Sequence, residues 1–144
     1  MITKYPSLNN RHVFITGGAS GIGASMVEGF VSQGSLVSFV DIADGSDLCH
    51  QLVQQYPNAK LFFQQCDLRN IEQLRLCIDN AHEKWGPIRA LVNNAAKDER
   101  HEVSSVTPEF WDNCQAVNLR HHFFCAQRIH PLMAQAGGGS IINL

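Results

Sequence analysis

The sequence predicts an α/β fold, a doubly wound parallel sheet with helices on both faces. Three observations carry that prediction. Short apolar runs alternate along the chain with stretches whose apolar residues recur at helical spacing. The connections between them are short, as strands joined by crossover helices require. The first strand also passes into the first helix through Thr16-Gly17-Gly18-Ala19-Ser20-Gly21-Ile22-Gly23, a turn richer in glycine than an ordinary connection needs.

Each element has its own warrant. His12-Val13-Phe14-Ile15 reads as a buried strand, and Ile22, Met26 and Phe30 set the period of the helix after it. The second strand, Leu36-Val37-Ser38-Phe39-Val40, closes on Asp41. Ser46 to Tyr56 places Leu48, Leu52 and Val53 on one side of a short helix stopped near Pro57. Lys60 to Cys66 is a third strand, ending in Asp67-Leu68. Asn70 stands as N-cap to a helix with the stripe Ile71, Leu74, Cys77, Ile78 and Ala81, which Trp85-Gly86-Pro87 ends. A fourth strand, Ile88 to Val92, runs into Asn93-Asn94-Ala95-Ala96. Beyond a charged loop, Lys97 to Glu102, Thr107 caps and Pro108 opens one long helix that carries Phe110, Trp111, Cys114, Val117, Phe124 and Ile129 before Gly137-Gly138-Gly139. Ser140-Ile141-Ile142-Asn143-Leu144 starts a fifth strand. With no repeat beyond these βα units, no low-complexity tract and no linker, residues 1–144 read as one domain of Rossmann type.

Composition narrows the function. A hydrophobic fraction of 44% and a charged fraction of 17% suit a soluble globular protein. The net charge is -2 and no Lys/Arg cluster stands out, which argues against nucleic acid or an anionic membrane as partner. No apolar run has the length of a membrane span, and Met1 to Pro6 has no signal-peptide core, so a cytoplasmic location is expected. The 5 cysteines (Cys49, Cys66, Cys77, Cys114, Cys125) are scattered and never in Cys-x-x-Cys spacing, so they read as free thiols in the core or near the surface. Among the 7 histidines only His121 and His122 are adjacent, and helix neighbours point different ways, so no metal is expected.

The glycine turn and Asp41 point to a ligand. Glycines between strand and helix let backbone approach a ligand closely, and the following helix aims free N–H groups and the positive end of its dipole at the turn. A pyrophosphate fits. Asp41, about twenty residues on, is placed to accept hydrogen bonds from the two ribose hydroxyls of an adenosine. Its carboxylate would repel a 2′-phosphate, and no Arg or Lys lies in the turn or just after Asp41 to attract one. The expected cofactor is therefore NAD rather than NADP.

Along nearly its whole length the chain resembles the short-chain dehydrogenase/reductase family. The family's Thr-Gly-x-x-x-Gly-x-Gly turn corresponds to Thr16 through Gly23, its Asp-[Val/Leu] pair to Asp67-Leu68, its Asn-Asn-Ala-Gly motif to Asn93-Asn94-Ala95-Ala96, and its helix asparagine to Asn118 within Val-Asn-Leu. Ala96 replaces a glycine. The resemblance implies cofactor contacts from Gly17, Ser20, Gly21, Ile22, Gly23, Asp41, Ile42, Asp67, Leu68, Asn94, Ala95 and Ala96, with the Asp67 carboxylate accepting from the adenine amino group. It implies that Asn93 is a structural brace. Asn118, unfavourable in mid-helix on propensity alone, is implied to sit at a helix irregularity and hold a catalytic water.

A finer resemblance concerns substrate. Lys97-Asp98-Glu99-Arg100-His101 and Asn118-Leu119-Arg120-His121 are similar to the pattern of bacterial aldose 1-dehydrogenases, which oxidise a pentose or hexose to its lactone. Charged and imidazole groups there would hydrogen-bond sugar hydroxyls, whereas a steroid or acyl pocket would want apolar walls. The family's chemistry also needs a Ser and a Tyr general base with Lys four residues on. This triad is expected beyond Leu144, and neither tyrosine present, Tyr5 or Tyr56, is counted as that base. The chain thus reads as the cofactor-binding N-terminal part of a longer dehydrogenase, a dimer or tetramer when full length, truncated after its fifth strand. Its long helix and last strand would stay partly exposed, with poor solubility or weak stability in isolation. A keto- or 3-oxoacyl-reductase, a non-catalytic NAD-binding module and an interaction fragment docking through the long helix are the alternatives, which NAD titration and a hydride-transfer assay separate.

Overall fold

The computed structural model describes residues 3–144; Met1 and Ile2, the start of the segment read as lacking a signal-peptide core, lie outside the described residues. A 3₁₀ turn, Pro6–Leu8, leads into β1 (His12–Thr16), α1 (Gly21–Ser32), β2 (Leu36–Asp41), α2 (Ser46–Gln55), β3 (Lys60–Gln65), α3 (Ile71–Trp85), β4 (Ala90–Asn93), α4 (Pro108–Gln115), α5 (His121–Gln135) and β5 (Ser140–Asn143). The sheet has the order β3-β2-β1-β4-β5 and every pair is parallel. The chain therefore winds outward from β1 to β3, then crosses back to build β4 and β5 on β1's other side. That is the doubly wound arrangement the alternation implied.

Alternation along β1 sorts the core. Val13 and Ile15 face α1 and α2 with Val27, Val31, Phe39 and Leu52, while Phe14 faces α3 and α5 with Leu74, Ile78, Cys125 and Ile129. All five β1 residues are buried, the mark of a central strand covered on both faces. At the other extreme β5 is exposed throughout, and Trp111, Leu119 and Phe123 are exposed on the α4–α5 side. The expected exposure of long helix and last strand is present. Cys66, Cys77 and Cys125 are buried, Cys49 and Cys114 half-buried, and all five are free.

Local structure follows the signals read from the sequence, with three departures. Asn70 and Thr107 do cap α3 and α4, their side chains accepting from Gln73 N–H and Phe110 N–H. The fourth strand begins at Ala90, not Ile88: Pro87 has no N–H for the ladder, and the segment joins it through Arg89 N–H on His12 O, at 2.8 Å. The third strand ends one residue early, at Gln65. The long helix is broken into α4 and α5 by a π-helical turn, Ala116–Arg120. Asn118 sits inside that turn, where the sequence reading placed a helix irregularity.

Candidate functional site

The two directions of winding part between β1 and β4, and the carboxyl ends of the strands there open on a cleft of about 520 Å³. The glycine turn forms its floor. Gly17 has a φ of +68°, and a Cβ on it would lie 2.8 Å from Ala95 Cα. A Cβ on Gly23 would lie only 1.7 Å from the Gly17 carbonyl oxygen, so the start of α1 packs directly on the turn. The N-cap Ser20 makes no side-chain cap bond, which leaves the first-turn N–H groups of α1 to whatever enters the cleft. Ser20, Ile22 and Gly23 line the cleft; Gly21 does not, and its own contribution is a φ of +54° that lets the chain enter the helix.

Asp41, at the end of β2, is held from two sides. One carboxylate oxygen accepts Ala19 N–H at 2.9 Å and the other Ala43 N–H at 3.0 Å. The anion is thereby tied to the glycine turn and fixed in the cleft wall beside the exposed Ile42.

Asp67 and Leu68 line the cleft at the end of β3, with a partner the sequence reading missed. The Arg69 guanidinium grips the Asp67 carboxylate at 2.6 Å, and Arg69 N–H donates to it as well at 3.0 Å. Those hydrogen bonds hold the Asp67 carboxyl below the usual carboxylate range. Asp67 is thus neither an unengaged acceptor nor the cap of α3, the latter being Asn70. An Asp two residues before an Arg was a legible signal for this pair.

The opposite wall is Asn94-Ala95-Ala96, joined by Lys97. Asn94 Nδ2 donates to the carbonyls of Thr16 (3.1 Å) and Gly17 (3.0 Å), stapling the wall to the turn. Asn93 is fully buried and donates to Asn143 Oδ1 at 2.8 Å, which bridges β4 to β5 as a brace does. Asn118 does not line the cleft. Its amide clasps the main chain of Lys97, accepting Lys97 N–H at 2.6 Å and donating to Lys97 O at 3.0 Å.

One expectation is corrected. His121, read with the groups able to meet a sugar, has no exposed surface and faces Thr16 inside the protein; it lies beneath the wall. Within Lys97 to His101, only Lys97 lines the cleft: it pairs with Glu99 at 3.2 Å, and His101 stacks on Phe110 outside. Tyr56 does have a Lys four residues on, Lys60, so spacing alone does not set this tyrosine aside as the base. The pair is far from catalytic use. Tyr56 Oη meets Glu28 Oε1 at 3.1 Å and Lys60 Nζ donates to Asn10 at 2.9 Å, and neither residue lines the cleft. Desolvation and the Glu28 carboxylate raise the Tyr56 phenol, the reverse of what a general base needs. Cys66, Asn113 and Val117 complete the lining unpredicted, because each is brought in by the path of the chain and carries no motif.

A cleft at the parting of a parallel sheet, floored by glycines and the bare start of a helix, is built for a dinucleotide. The family model for short chain dehydrogenase matches residues 11–144, and the chain belongs to that family. Family members work with a nicotinamide cofactor.

Among its relatives are two named sugar dehydrogenases. The chain is 49% identical over 143 residues to "Probable galactose dehydrogenase GalD" of Rhizobium meliloti, covering 98% of this chain and 56% of that protein. It is 41% identical over 139 residues to a D-xylose 1-dehydrogenase of Caulobacter vibrioides, covering 96% and 54%. The chain spans about half the length of the curated relatives it matches. The solved structure of the Thermoplasma acidophilum aldohexose dehydrogenase superposes with a TM-score of 0.84 at 29% identity, over 96% of this chain and 50% of that one. Among the described residues no helix is long and apolar enough to cross a membrane, and no group of three or more His, Cys, Asp and Glu is placed to hold a metal.

Proposed function

We propose that this chain holds NAD in a dehydrogenase that takes hydride from a CH–OH group of an aldose. The observation that carries the cofactor reading is the Asp41 carboxylate, pinned by Ala19 N–H and Ala43 N–H in the wall of the glycine-floored cleft. An anion fixed there accepts two ribose hydroxyls and repels a 2′-phosphate. Gly17, Ser20, Gly21, Ile22 and Gly23 cradle the pyrophosphate, while Ile42 and the Asp67-Leu68 segment flank the adenine. Asn94, Ala95 and Ala96 border the nicotinamide-side ribose. Asn118 braces that wall through Lys97; beyond its two bonds, one N–H and one lone pair of its amide are left for a water.

The bound nicotinamide supplies the electron-pair acceptor. Hydride leaves the sugar carbon with two electrons, the hydroxyl proton passes to a base, and a lactone results. By the family resemblance, a Tyr with a Lys four residues on takes that proton. The names of the relatives, for galactose, D-xylose and aldohexose, support the aldose, as does Lys97 at the cleft.

Calorimetric titration with NAD and NADP tests the cofactor. NAD should bind at least tenfold more tightly, and Asp41→Ser should close that gap by about tenfold or more. Tighter NADP binding by the unvaried protein would overturn the reading. A panel on the full-length enzyme with NAD should show aldoses turned over far faster than simple secondary alcohols. Turnover of a keto-acyl or steroid substrate in their place would replace the aldose.

A further inference from the structure

His121 is buried where an ionisable side chain is least expected, and each atom hydrogen-bonded to its ring has one possible role. The Thr16 hydroxyl oxygen accepts Asn94 N–H at 3.0 Å and Ala95 N–H at 3.1 Å. Both of its lone pairs are then used, and its single proton must find an acceptor. The atom in reach is His121 Nε2, at 3.0 Å. For Nε2 to accept, it must be bare, and the ring's proton must sit on Nδ1. Nδ1 is hydrogen-bonded to the Val117 carbonyl, which can only accept. All valences close in one arrangement: neutral His121 as the Nδ1–H tautomer, donating to Val117 O and accepting from Thr16 O–H.

The two ends of this chain of bonds matter. Val117 lies in the π turn beside Asn118, and Asn118 holds Lys97 by both main-chain groups. Asn94 and Ala95 are held by Thr16. The cofactor-side wall 94–97 is therefore gripped at both ends by one turn, directly through Asn118 and indirectly through His121 and Thr16. The wall has little room to drift, because Ala95 already packs against Gly17 at the glycine turn.

We infer that His121 is a positioning residue for dinucleotide binding: by accepting the Thr16 proton it fixes the hydroxyl's lone pairs on Asn94 and Ala95 and locks that wall to the π turn. The inference rests on the reading that this cleft holds a nicotinamide dinucleotide. It assigns His121 neither substrate contact nor proton transfer.

Two near-isosteric variants of the full-length protein split the ring's two bonds. Gln at 121 can present its carbonyl to Thr16 at the Nε2 position; Asn can present its amide N–H to Val117 at the Nδ1 position. Calorimetric affinity for NAD should be nearly unchanged in His121→Gln and weakened about tenfold in His121→Asn, the worth of one buried hydrogen bond. Adding His121→Asn to Thr16→Val should weaken affinity no further than Thr16→Val alone, since both act through one hydroxyl. Equal affinities in the Gln and Asn variants, or additive losses in the double variant, would reduce His121 to core packing. ¹⁵N shifts of the imidazole in the unvaried protein give a test that needs no variant to fold. They should report the Nδ1–H tautomer at pH 7, and an Nε2–H or doubly protonated ring would sink the inference. If the unvaried protein binds neither NAD nor NADP, the cofactor reading fails and takes the inference with it; binding that is intact but indifferent to these variants strikes the inference alone.

Discussion

Each end of the parallel sheet buries one histidine between two hydrogen-bond partners, to different purpose. At the amino end, His12 Nδ1 meets Gly86 O and Nε2 meets Ser38 Oγ, both at 2.9 Å, and Trp85 packs edge-on against the ring. Both ring nitrogens of His12 are thus met within the protein. At the carboxyl end, His121 takes the matching part between Val117 and Thr16, yet the structure around it stays open on a cleft. The start of α1 has no side-chain cap there, and Asp41 is fixed facing the opening. The amino end's histidine only ties strands and helix together; the carboxyl end, where the bare start of α1 stands beside a fixed carboxylate, is built as a site.

Helix α1 joins the two ends, and its glycines give the sharpest way to break the comparison. Gly23 lies at the carboxyl end, where a Cβ would fall 1.7 Å from Gly17 O and 2.7 Å from Asn94 Nδ2. Neither the turn's backbone nor the stapling amide can yield without moving the cleft. Gly23→Ala should abolish measurable NAD binding and lower stability by about 3 kcal/mol, the upper range for overpacking. Gly29, toward the other end of the helix, has nothing within 4 Å of its would-be Cβ. There Ala should stabilise by up to about 1 kcal/mol through helix propensity and leave binding intact. Denaturant melts and NAD titrations of both proteins read the difference. Equal tolerance at the two positions would mean that the turn is not packed as described.

The same contrast explains how much could be read from the chain. Periodicity, the Asn70 and Thr107 caps and the glycine turn are local signals, and the sheet and its switch point follow from them. Of the cleft's lining, Gly17 and Asp41 were legible as the ends of β1 and β2, which topology brings together, whereas Asp67 and Asn94 were read through the family resemblance. Hidden were the relations between residues distant in sequence. Nothing local tells that His121 meets Thr16, since that contact depends on how α5 crosses β1. His121 among charged and polar letters read as a group able to meet a sugar, although the helix period that buries Cys125 and Ile129 also buries position 121. The ion pair Arg69–Asp67 was local and could have been read. Tyr56 and Lys60 show the converse failure, where a spacing matches a motif and the structure points both side chains elsewhere.

Acid should act through both buried imidazoles. Burial, with a smaller contribution from neighbouring His122, lowers His121 from 6.5 to about 4, and burial also lowers His12. A group held neutral in the fold binds its proton first in the unfolded chain, so stability rises with pH across this window. The His121 contribution is present above pH 6.5 and is lost as pH falls toward 4. Between pH 7 and 5 the loss should be about 2 kcal/mol from His121 alone. Asp67, with a depressed pKa, gives way only below the ordinary carboxylate range and does not confuse that interval. Urea melts at pH 7 and 5 should show the slope, and His121→Gln should reduce the loss by about 2 kcal/mol. His12→Gln should remove a further part without touching NAD affinity. A slope indifferent to His121→Gln would show that the ring is not held neutral.

The smallest expected effect concerns helix starts, all of which lie at the carboxyl end of the sheet. Asn70 gives its side chain to Gln73 N–H at 3.0 Å, closing one orphan donor of α3. Ser20, a residue equally able to cap, makes no such bond at α1. If the reserved donors of α1 belong to a ligand, the two residues should respond in opposite currencies. Asn70→Ala should lower stability by about 1 kcal/mol and leave NAD affinity alone. Ser20→Ala should change stability by less than about 0.5 kcal/mol, since no bond within the protein is lost. It should weaken NAD binding severalfold, because a hydroxyl in the cleft wall is removed beside the pyrophosphate's expected position. Should Ser20→Ala instead match Asn70→Ala in stability and spare affinity, the start of α1 would be an ordinary cap, and the comparison between reserved and consumed donors would lose its clearest support.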